Sequence, residues 1–320
     1  MESSISNETH PVTSVFVPNK LKKYSQLDDA ILNINENSIK EIISFIETNF
    51  SSNELTFIFN RIIQISKVRL TSRKELADLY IHACILFDEK IDFKHILSAS
   101  NPFAFQIISE IPRFGNTEHI LPANFSISNI QENLLHKFIY LYQKNSIKSI
   151  IKADNVELLK KFVNENPKFD FRTKKSIAAF DNLGKRCKVS LLGFAAHYGS
   201  LKCFNYLLKQ GLQPNLNEAE HSVIGGNAEI IENYKEDIKS CLETAVSWNR
   251  NEIADYILSN DEEIMFSIES ATNNIKATLF LLSCNFCDSM TLKMRKIFEG
   301  LMSAEAFKDM NLLNHLFVLN

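Results

Sequence analysis

The second half of the chain repeats one short pattern five times. In each copy, a residue that tolerates a left-handed backbone precedes a short amphipathic segment. A charged residue follows three positions after the turn residue, and a residue suited to a core follows eight positions after it. One short amphipathic helix cannot bury its apolar face alone, so the pattern predicts helix–turn–helix units that stack on one another. The turn residues are Asp154, Gly199, Gly226, Asn249 and Asn273.

Residues that favour tight turns are scarce in the chain as a whole. The 320 residues include 8 glycines and 7 prolines, together about 5% of the chain, where roughly 12% is usual. Sandwiches and barrels need many tight turns, whereas helices joined by short loops need few. The composition therefore predicts an all-α protein.

The first half carries signals for helix starts. In the capping-box spacing, a serine is followed three positions later by a glutamate or glutamine, and the two side chains satisfy free backbone amides reciprocally. The pairs with this spacing that precede a predicted helix are Ser38/Glu41, Ser51/Glu54, Ser72/Glu75 and Ser128/Gln131. We therefore expect three regions, namely a loose terminus over residues 1–24, a helical region over 25–144, and the repeats over 145–320.

One repeat resembles a known family. The segment Ser190–Asn215 is similar to an ankyrin repeat in its paired alanines at 195–196, its turn glycine at 199, its paired leucines at 207–208 and its Pro-Asn turn at 214–215. It departs from the ankyrin pattern at Leu191 and Gly193, where the family has proline and histidine. The resemblance implies an α-solenoid of ankyrin-like repeats, preceded by the N-terminal helical region.

The same resemblance implies a function. Ankyrin-like arrays bind partner proteins through a concave face and loops, so we expect a non-enzymatic scaffold or adaptor whose partner is another protein. The candidate partner-binding residues are Tyr198, Gln213 and Asn217, with Tyr198 expected to be exposed. Trp248, the single tryptophan, is instead expected to be partly buried between repeats.

The spacing of the turn residues is irregular. The intervals are 45 residues (154 to 199), 27 (199 to 226), 23 (226 to 249) and 24 (249 to 273), against about 33 for a full ankyrin unit. Intervals of 23 or 24 leave no room for a β-hairpin, so finger-like loops are expected only near the first repeats. The longest interval holds an insertion, Pro167–Lys188, whose basic residues include Arg172, Lys174, Lys175, Lys185, Arg186 and Lys188.

The basic insertion has two interpretations. It could contact an acidic partner or act as a nuclear-import signal. Alternatively, it is a solvated loop beside an acidic neighbour made of Glu229, Glu232, Glu236 and Asp237. The second interpretation is the one favoured by the sequence.

No catalytic, cofactor or metal site is predicted. Cys284 and Cys287 have the spacing of half a zinc site, but no second pair of ligands follows nearby. The alternative to a scaffold is a thiol-dependent enzyme or effector, with the repeats as a targeting module. Its nucleophile would be Cys84, Cys187 or Cys203.

Net charge and hydropathy restrict the classes of partner that we expect for this chain. The formal net charge is −3, so a field that attracts nucleic acid is not expected across the whole chain. Apolar runs are far shorter than the roughly 20 residues of a membrane helix. We therefore expect a monomer that is cytoplasmic, with a nuclear location as the alternative, and that binds neither nucleic acid nor membrane.

Overall fold

The computed structural model describes residues 12–15, 17, 19–99, 101–115, 117–122, 141–260 and 265–283. The chain divides into two compact units. One unit combines residues 1–25 with 236–320, and the other comprises residues 26–235. The boundary expected between residues 144 and 145 lies inside the second unit.

The described residues form sixteen α-helices and one two-stranded sheet, so the prediction of an all-α protein is confirmed. The helices are α1 Lys22–Leu32, α2 Ile39–Asn49, α3 Leu55–Val68, α4 Arg73–Phe87, α5 Phe93–Ala99, α6 Asn101–Glu110, α7 Ile147–Lys152, α8 Val156–Glu165, α9 Leu191–His197, α10 Leu201–Lys209, α11 Ala219–Gly225, α12 Ala228–Ile231, α13 Leu242–Ser247, α14 Asn251–Asn260, α15 Ile268–Ala271 and α16 Ile275–Ser283. The strands are β1 Lys175–Ile177 and β2 Cys187–Val189.

Short 3₁₀ turns extend or connect these helices. They cover Val12–Ser14, Asn19–Leu21, Ser52–Glu54, Ile111–Phe114, Glu118–Ile120, Ala179–Asp181, Leu216–Glu218, Glu232–Tyr234 and Ile238–Cys241. Across the ranges that the structure describes, no helix has the length and the apolar character needed to cross a membrane.

The predicted helix starts in the first half are confirmed where they are described. Helices α2 and α4 begin directly after Ser38 and Ser72, but neither serine side chain caps its helix. Ser38 Oγ instead donates to the Asn35 carbonyl, 3.0 Å away. The full capping box forms at Ser51 and Glu54, before α3. The Ser128/Gln131 pair lies outside the described residues.

All five predicted turn residues lie between two helices. Four of them adopt the left-handed backbone, with φ of 50° at Asp154, 64° at Gly199, 69° at Gly226 and 54° at Asn249. Asn273, between α15 and α16, is not among the described residues with a positive φ. The paired helices that the repeat predicts are therefore present, and four of the five turns have the predicted conformation.

Exposure follows the periodic pattern as well. The charged position is exposed in four copies and half-buried in the fifth, in the order Glu157, Lys202, Glu229, Glu252 and Lys276. The core position is half-buried in the first copy and buried in the other four, in the order Phe162, Leu207, Tyr234, Ile257 and Leu281. Each second helix therefore presents one side to solvent and the other to its neighbours.

Within the unit of residues 26–235, the helix pairs contact one another in order. The first helices form one row, in which α9 packs against both α7 and α11. The second helices form another row, in which α10 packs against both α8 and α12. This part of the chain is thus two layers of helices, each one helix thick. In the other unit, α13 packs against both α14 and α15, and α15 packs against α16.

The sheet lies in the long interval between the first two helix pairs. Strands β1 and β2 are antiparallel, with Lys175 opposite Val189 and Ile177 opposite Cys187. No described residue after Val189 belongs to a strand. The expectation that a finger-like loop occurs only near the first repeats therefore agrees with the described part of the chain.

The terminus expected to be loose is in part packed. Val12 is fully buried, and the Val12–Ser14 turn contacts α14. The Asp255 carboxylate accepts a 2.9 Å hydrogen bond from the Thr13 backbone amide and also bonds the amide of Val12. Because the Asp255 side chain satisfies these backbone amides, residues 12–15 have partners that the sequence pattern does not predict.

Glu218 connects the second and third helix pairs of the unit formed by residues 26–235. Its carboxylate accepts hydrogen bonds from the Ser190 backbone amide at 2.8 Å and from Ser190 Oγ at 2.6 Å. Ser190 Oγ in turn accepts from the Gly193 amide and caps α9. A Cβ atom at position 193 would lie 2.8 Å from Glu218 Cδ and closer still to Oε2. Gly193 is therefore needed where ankyrin repeats have histidine, because the Glu218 carboxylate occupies that space.

Candidate functional site

A groove opens beside the β-hairpin. We call this cleft the hairpin groove, and its volume is about 700 Å³. It is lined by residues 141–142, Lys148, 176–180 and 186–188. Its size lies within the range of pockets that hold ligands, roughly 300–1,000 Å³. Its lining combines apolar side chains, such as Ile177 and Phe180, with basic ones. Phe180 is 46% exposed, although it is a large apolar side chain.

The charges that line the hairpin groove are all positive. The basic side chains are Lys148, Arg186 and Lys188, and no carboxylate lines the groove. None of the three forms an ion pair with a described residue. Burial, together with repulsion from Lys175, lowers the pKa of Lys148. The three cations therefore line the groove without an ion-pair partner among the described residues, although Glu218 and Glu220 lie near enough to act on Cys187.

The hairpin is held in place by Asp181, which lies beneath the groove and is fully buried. The Asp181 carboxylate accepts hydrogen bonds from Arg73 Nη1 at 2.6 Å, Lys152 Nζ at 2.7 Å and the Tyr198 hydroxyl at 2.8 Å. Arg73 also donates to the Phe180 carbonyl at 3.3 Å. One side chain thus connects α4, α7 and Tyr198, the residue that follows α9, to the loop between the strands.

The two cations decide the ionisation of Asp181. Burial by itself would raise the pKa of this carboxyl, but Arg73 and Lys152 outweigh that effect and hold the pKa below its usual range. Burial lowers the pKa of Lys152, and its ion pair with Asp181 opposes the change. A buried charge is tolerated when it is paired and fully hydrogen-bonded. The arrangement therefore fits a structural ion-pair cluster that positions the hairpin.

Two tyrosines continue the network towards the groove. The Tyr142 and Tyr198 oxygens lie 2.8 Å apart, and the Ala178 backbone amide donates to the Tyr142 oxygen at 3.0 Å. Because Tyr198 donates its one proton to Asp181, Tyr142 must donate to Tyr198. Burial raises the pKa of Tyr142 to about 12, so this hydroxyl keeps its proton near neutral pH. The hydrogen bonds therefore run in one direction from the hairpin backbone to Asp181.

Two buried histidines lie at the other end of the network. His197 Nε2 is 2.8 Å from the Asp181 carbonyl oxygen, and His197 Nδ1 is 3.1 Å from His221 Nδ1. Burial and the neighbouring His221 lower the pKa of His197 to about 3, so its ring is neutral near pH 7. The carbonyl can only accept, so His197 Nε2 carries the proton and His221 donates from Nδ1. Protonation of His197 would place two N–H groups against each other.

The predicted partner-binding residues differ in their exposure to solvent. Tyr198 is 4% exposed and bonded to Asp181, so the expectation that it is exposed is wrong. The insertion folds back and places Asp181 over this residue, which a position beside a turn does not indicate. Gln213 and Asn217 are both exposed between α10 and α11. Trp248 is 3% exposed, which agrees with the expected burial.

The basic insertion is not neutralised by the acidic residues proposed for that role. No ion pair joins any of the six cations named above to Glu229 or Glu232, which lie in the same unit. Instead, Lys175 lies over the ring of Phe169. The hypothesis of a solvated loop beside an acidic neighbour is therefore not supported by ion pairing.

The environments of the candidate thiols disfavour nucleophilic chemistry. Burial raises the pKa of Cys84 and of Cys203 to about 12 in each case. Burial and the nearby Glu220 and Glu218 also raise the pKa of Cys187. A reactive cysteine needs the opposite shift, because the thiolate is the nucleophile. Cys284 and Cys287 lie outside the described residues, as does the chain after residue 283.

Comparisons with known proteins identify no family for this chain, so the site is interpreted from its own residues. No protein-family model, no curated protein and no solved structure matches this chain. The resemblance to ankyrin repeats therefore stays a proposal. Searching the described ranges for clustered metal ligands finds no group of three or more. What the geometry provides is a rigidly held hairpin beside an open, positively charged groove.

Proposed function

We propose that this chain is a protein-interaction module of the ankyrin-like solenoid class, acting as a scaffold or adaptor for another protein. The observation that carries the proposal is the ordered contact of helix pairs, in which first helices pack on first helices and second helices on second helices. Stacks of this kind create extended faces and rows of loops that bind partners in helical-repeat proteins.

Two features of the described residues support an interaction role over a catalytic one. The buried carboxylate of Glu218, directly after the best-formed repeat, is used in hydrogen bonds with Ser190. Loop tips such as Gln213 and parts of the β-hairpin, by contrast, are exposed. Binding residues concentrate on loops that a rigid scaffold positions. A concave face formed by first helices and these loops is the proposed contact surface.

The test uses the full chain as bait and measures which partners are lost. Gln213→Lys combined with Asn217→Lys changes two exposed positions between α10 and α11, where no buried contact is affected. We expect the amount of at least one stoichiometric partner, measured by quantitative mass spectrometry, to fall by about tenfold or more, which corresponds to 1.4 kcal/mol of binding free energy.

A matched variant controls for a general change of surface charge. Glu157→Gln combined with Glu229→Gln makes the same change in net charge, +2, at two exposed residues on second helices, and it should leave the partner set unchanged. If both variants keep every partner at the wild-type amount, the loops between α10 and α11 are not the contact surface. If the intact chain has no stoichiometric partner, the scaffold proposal itself fails.

A further inference from the structure

We propose that the hairpin groove binds an acidic segment of a partner protein that inserts one apolar side chain between Tyr142 and Phe180. This inference rests on the proposed function and names the class of partner. The groove lies in the long interval between the first and second helix pairs, apart from Gln213 and Asn217, so the two surfaces can be tested separately.

Charge complementarity indicates the acidic character. Lys148, Arg186 and Lys188 line the groove, and none of them has a carboxylate partner among the described residues. Lys148 is half-buried and lies 4.5 Å from the centre of the Tyr142 ring. A half-buried cation without a counter-charge is unfavourable, and an incoming carboxylate would relieve that cost.

The apolar surface of the groove indicates more than a free anion. Ile177, Ala178, Ala179 and Phe180 are consecutive in the chain and all line the cleft. Phosphate or a metal-bound anion would use the cations and leave the exposed ring of Phe180 in water. An acidic peptide with an aromatic or aliphatic residue would use both, because apolar anchors provide much of the affinity in peptide recognition.

The groove walls are preorganised for a ligand. Tyr142 is fixed by hydrogen bonds to Tyr198 and from the Ala178 amide, and Arg73 donates to Phe180 and Asp181. Little of the binding free energy is then spent on ordering the site. Nucleic acid is disfavoured, because three cations around an apolar cleft provide few of the successive phosphate contacts on which polyanion binding depends.

The experiment uses the full chain and a fluorescein-labelled pentapeptide, Glu-Glu-Phe-Glu-Glu, in an anisotropy titration. We expect a dissociation constant below about 1 mM at low salt. Replacing the phenylalanine by serine, or each glutamate by lysine, should weaken binding by about tenfold or more, since each change removes one of the two complementary features.

Charge-reversal variants locate the site. Arg186→Glu combined with Lys188→Glu should weaken peptide binding by about tenfold or more, because each lost rim contact becomes a repulsion. The matched control, Lys174→Glu combined with Lys185→Glu, makes the same change in net charge at exposed positions of the same insertion that do not line the groove. It should change the affinity by less than about twofold. Thermal unfolding of both variants checks that each is folded.

A second measurement does not depend on any variant. Cys187 lines the groove and is half-buried, so bound peptide should slow its alkylation by iodoacetamide, as followed by mass spectrometry of the Cys187 peptide. The proposal is overturned if the pentapeptide neither binds nor protects Cys187, or if both charge-reversal pairs weaken binding equally. It is also overturned if a thymidine hexanucleotide binds the groove more tightly than the pentapeptide. Partners captured by the full chain but insensitive to the groove variants would refute this inference and leave the scaffold proposal intact.

Discussion

Replacing Gly193 by alanine should have opposite effects on stability in two backgrounds. In the wild-type chain, the added methyl group would lie 2.8 Å from Glu218 Cδ and closer still to Oε2. The Glu218 carboxylate must therefore leave Ser190. In a Glu218→Ala background, the same methyl group finds that space empty, and alanine is the better helix former.

The structure sets the magnitude. Glu218 accepts two hydrogen bonds from Ser190, at 2.8 Å and 2.6 Å, and hydrogen bonds to a charged group contribute about 1.5–3 kcal/mol each. Alanine is the better helix former by about 1 kcal/mol, which offsets part of this loss. Gly193→Ala should therefore lower the free energy of unfolding of the wild type by about 2–5 kcal/mol. In the Glu218→Ala background it should be neutral or stabilise by up to about 1 kcal/mol, since Val189 Cβ at 3.2 Å is the one close contact left.

The assay is a double-mutant cycle measured by urea unfolding, followed by circular dichroism, for the wild type, both single variants and the double variant. The expected coupling free energy, which is the difference between the two backgrounds, is about 2–6 kcal/mol, at or above the upper end of the range usual for two residues in contact. If Gly193→Ala costs the same in both backgrounds, to within about 0.5 kcal/mol, the carboxylate does not occupy that space and the explanation of the glycine fails.

Three further predictions concern the same unit. Asp181→Asn should lower the free energy of unfolding by about 3–5 kcal/mol, because it leaves Arg73 and Lys152 buried without a counter-charge; a loss below about 1 kcal/mol would contradict the ion-pair cluster. Because the folded-state pKa of His197, about 3, lies below the unfolded value of about 6.5, stability should fall as pH drops below 6.5, by up to about 1.4 kcal/mol per unit. His197→Gln should reduce the dependence of the free energy of unfolding on pH, measured by urea titrations from pH 7 to 5. The control His95→Gln, at an exposed position, should change it less. Gly225→Ala places a methyl group against the Ala196 carbonyl and should cost about 3 kcal/mol. Gly211→Ala should cost less, about 1–2 kcal/mol, because no atom lies within 4 Å and only the φ of 86° is unfavourable.

Much of the helix pairing could be predicted because its causes are local. A left-handed turn needs glycine, asparagine or aspartate at one position, and a solvated face needs a charge at a fixed distance from it. Asp154 and Gly199 show both features and adopt the predicted conformation. Asn273 shows that the residue type permits the left-handed backbone without imposing it.

The buried network could not be predicted because its members are far apart in the sequence. Arg73 and Asp181 are separated by 108 positions, and no periodicity links residues that meet through a long insertion. A signal was present in the insertion, where Asp181 follows three apolar residues, Ala178–Phe180. An acidic residue in such a setting is buried when a cation is available to pair with it.

The misplacement of Tyr198 and the existence of the hairpin groove have the same cause. A regular repeat would leave the residue before Gly199 near the surface. The long interval between Asp154 and Gly199 provides enough chain for a hairpin to fold back, and Asp181 then anchors that hairpin on Tyr198 and Lys152. The ion pairs that bury the tyrosine also hold Phe180 and the basic strand in an exposed position. The interval from Asp154 to Gly199, which departs most from the ankyrin spacing, therefore creates the most distinctive surface of this unit. A search for partners has reason to begin at that surface.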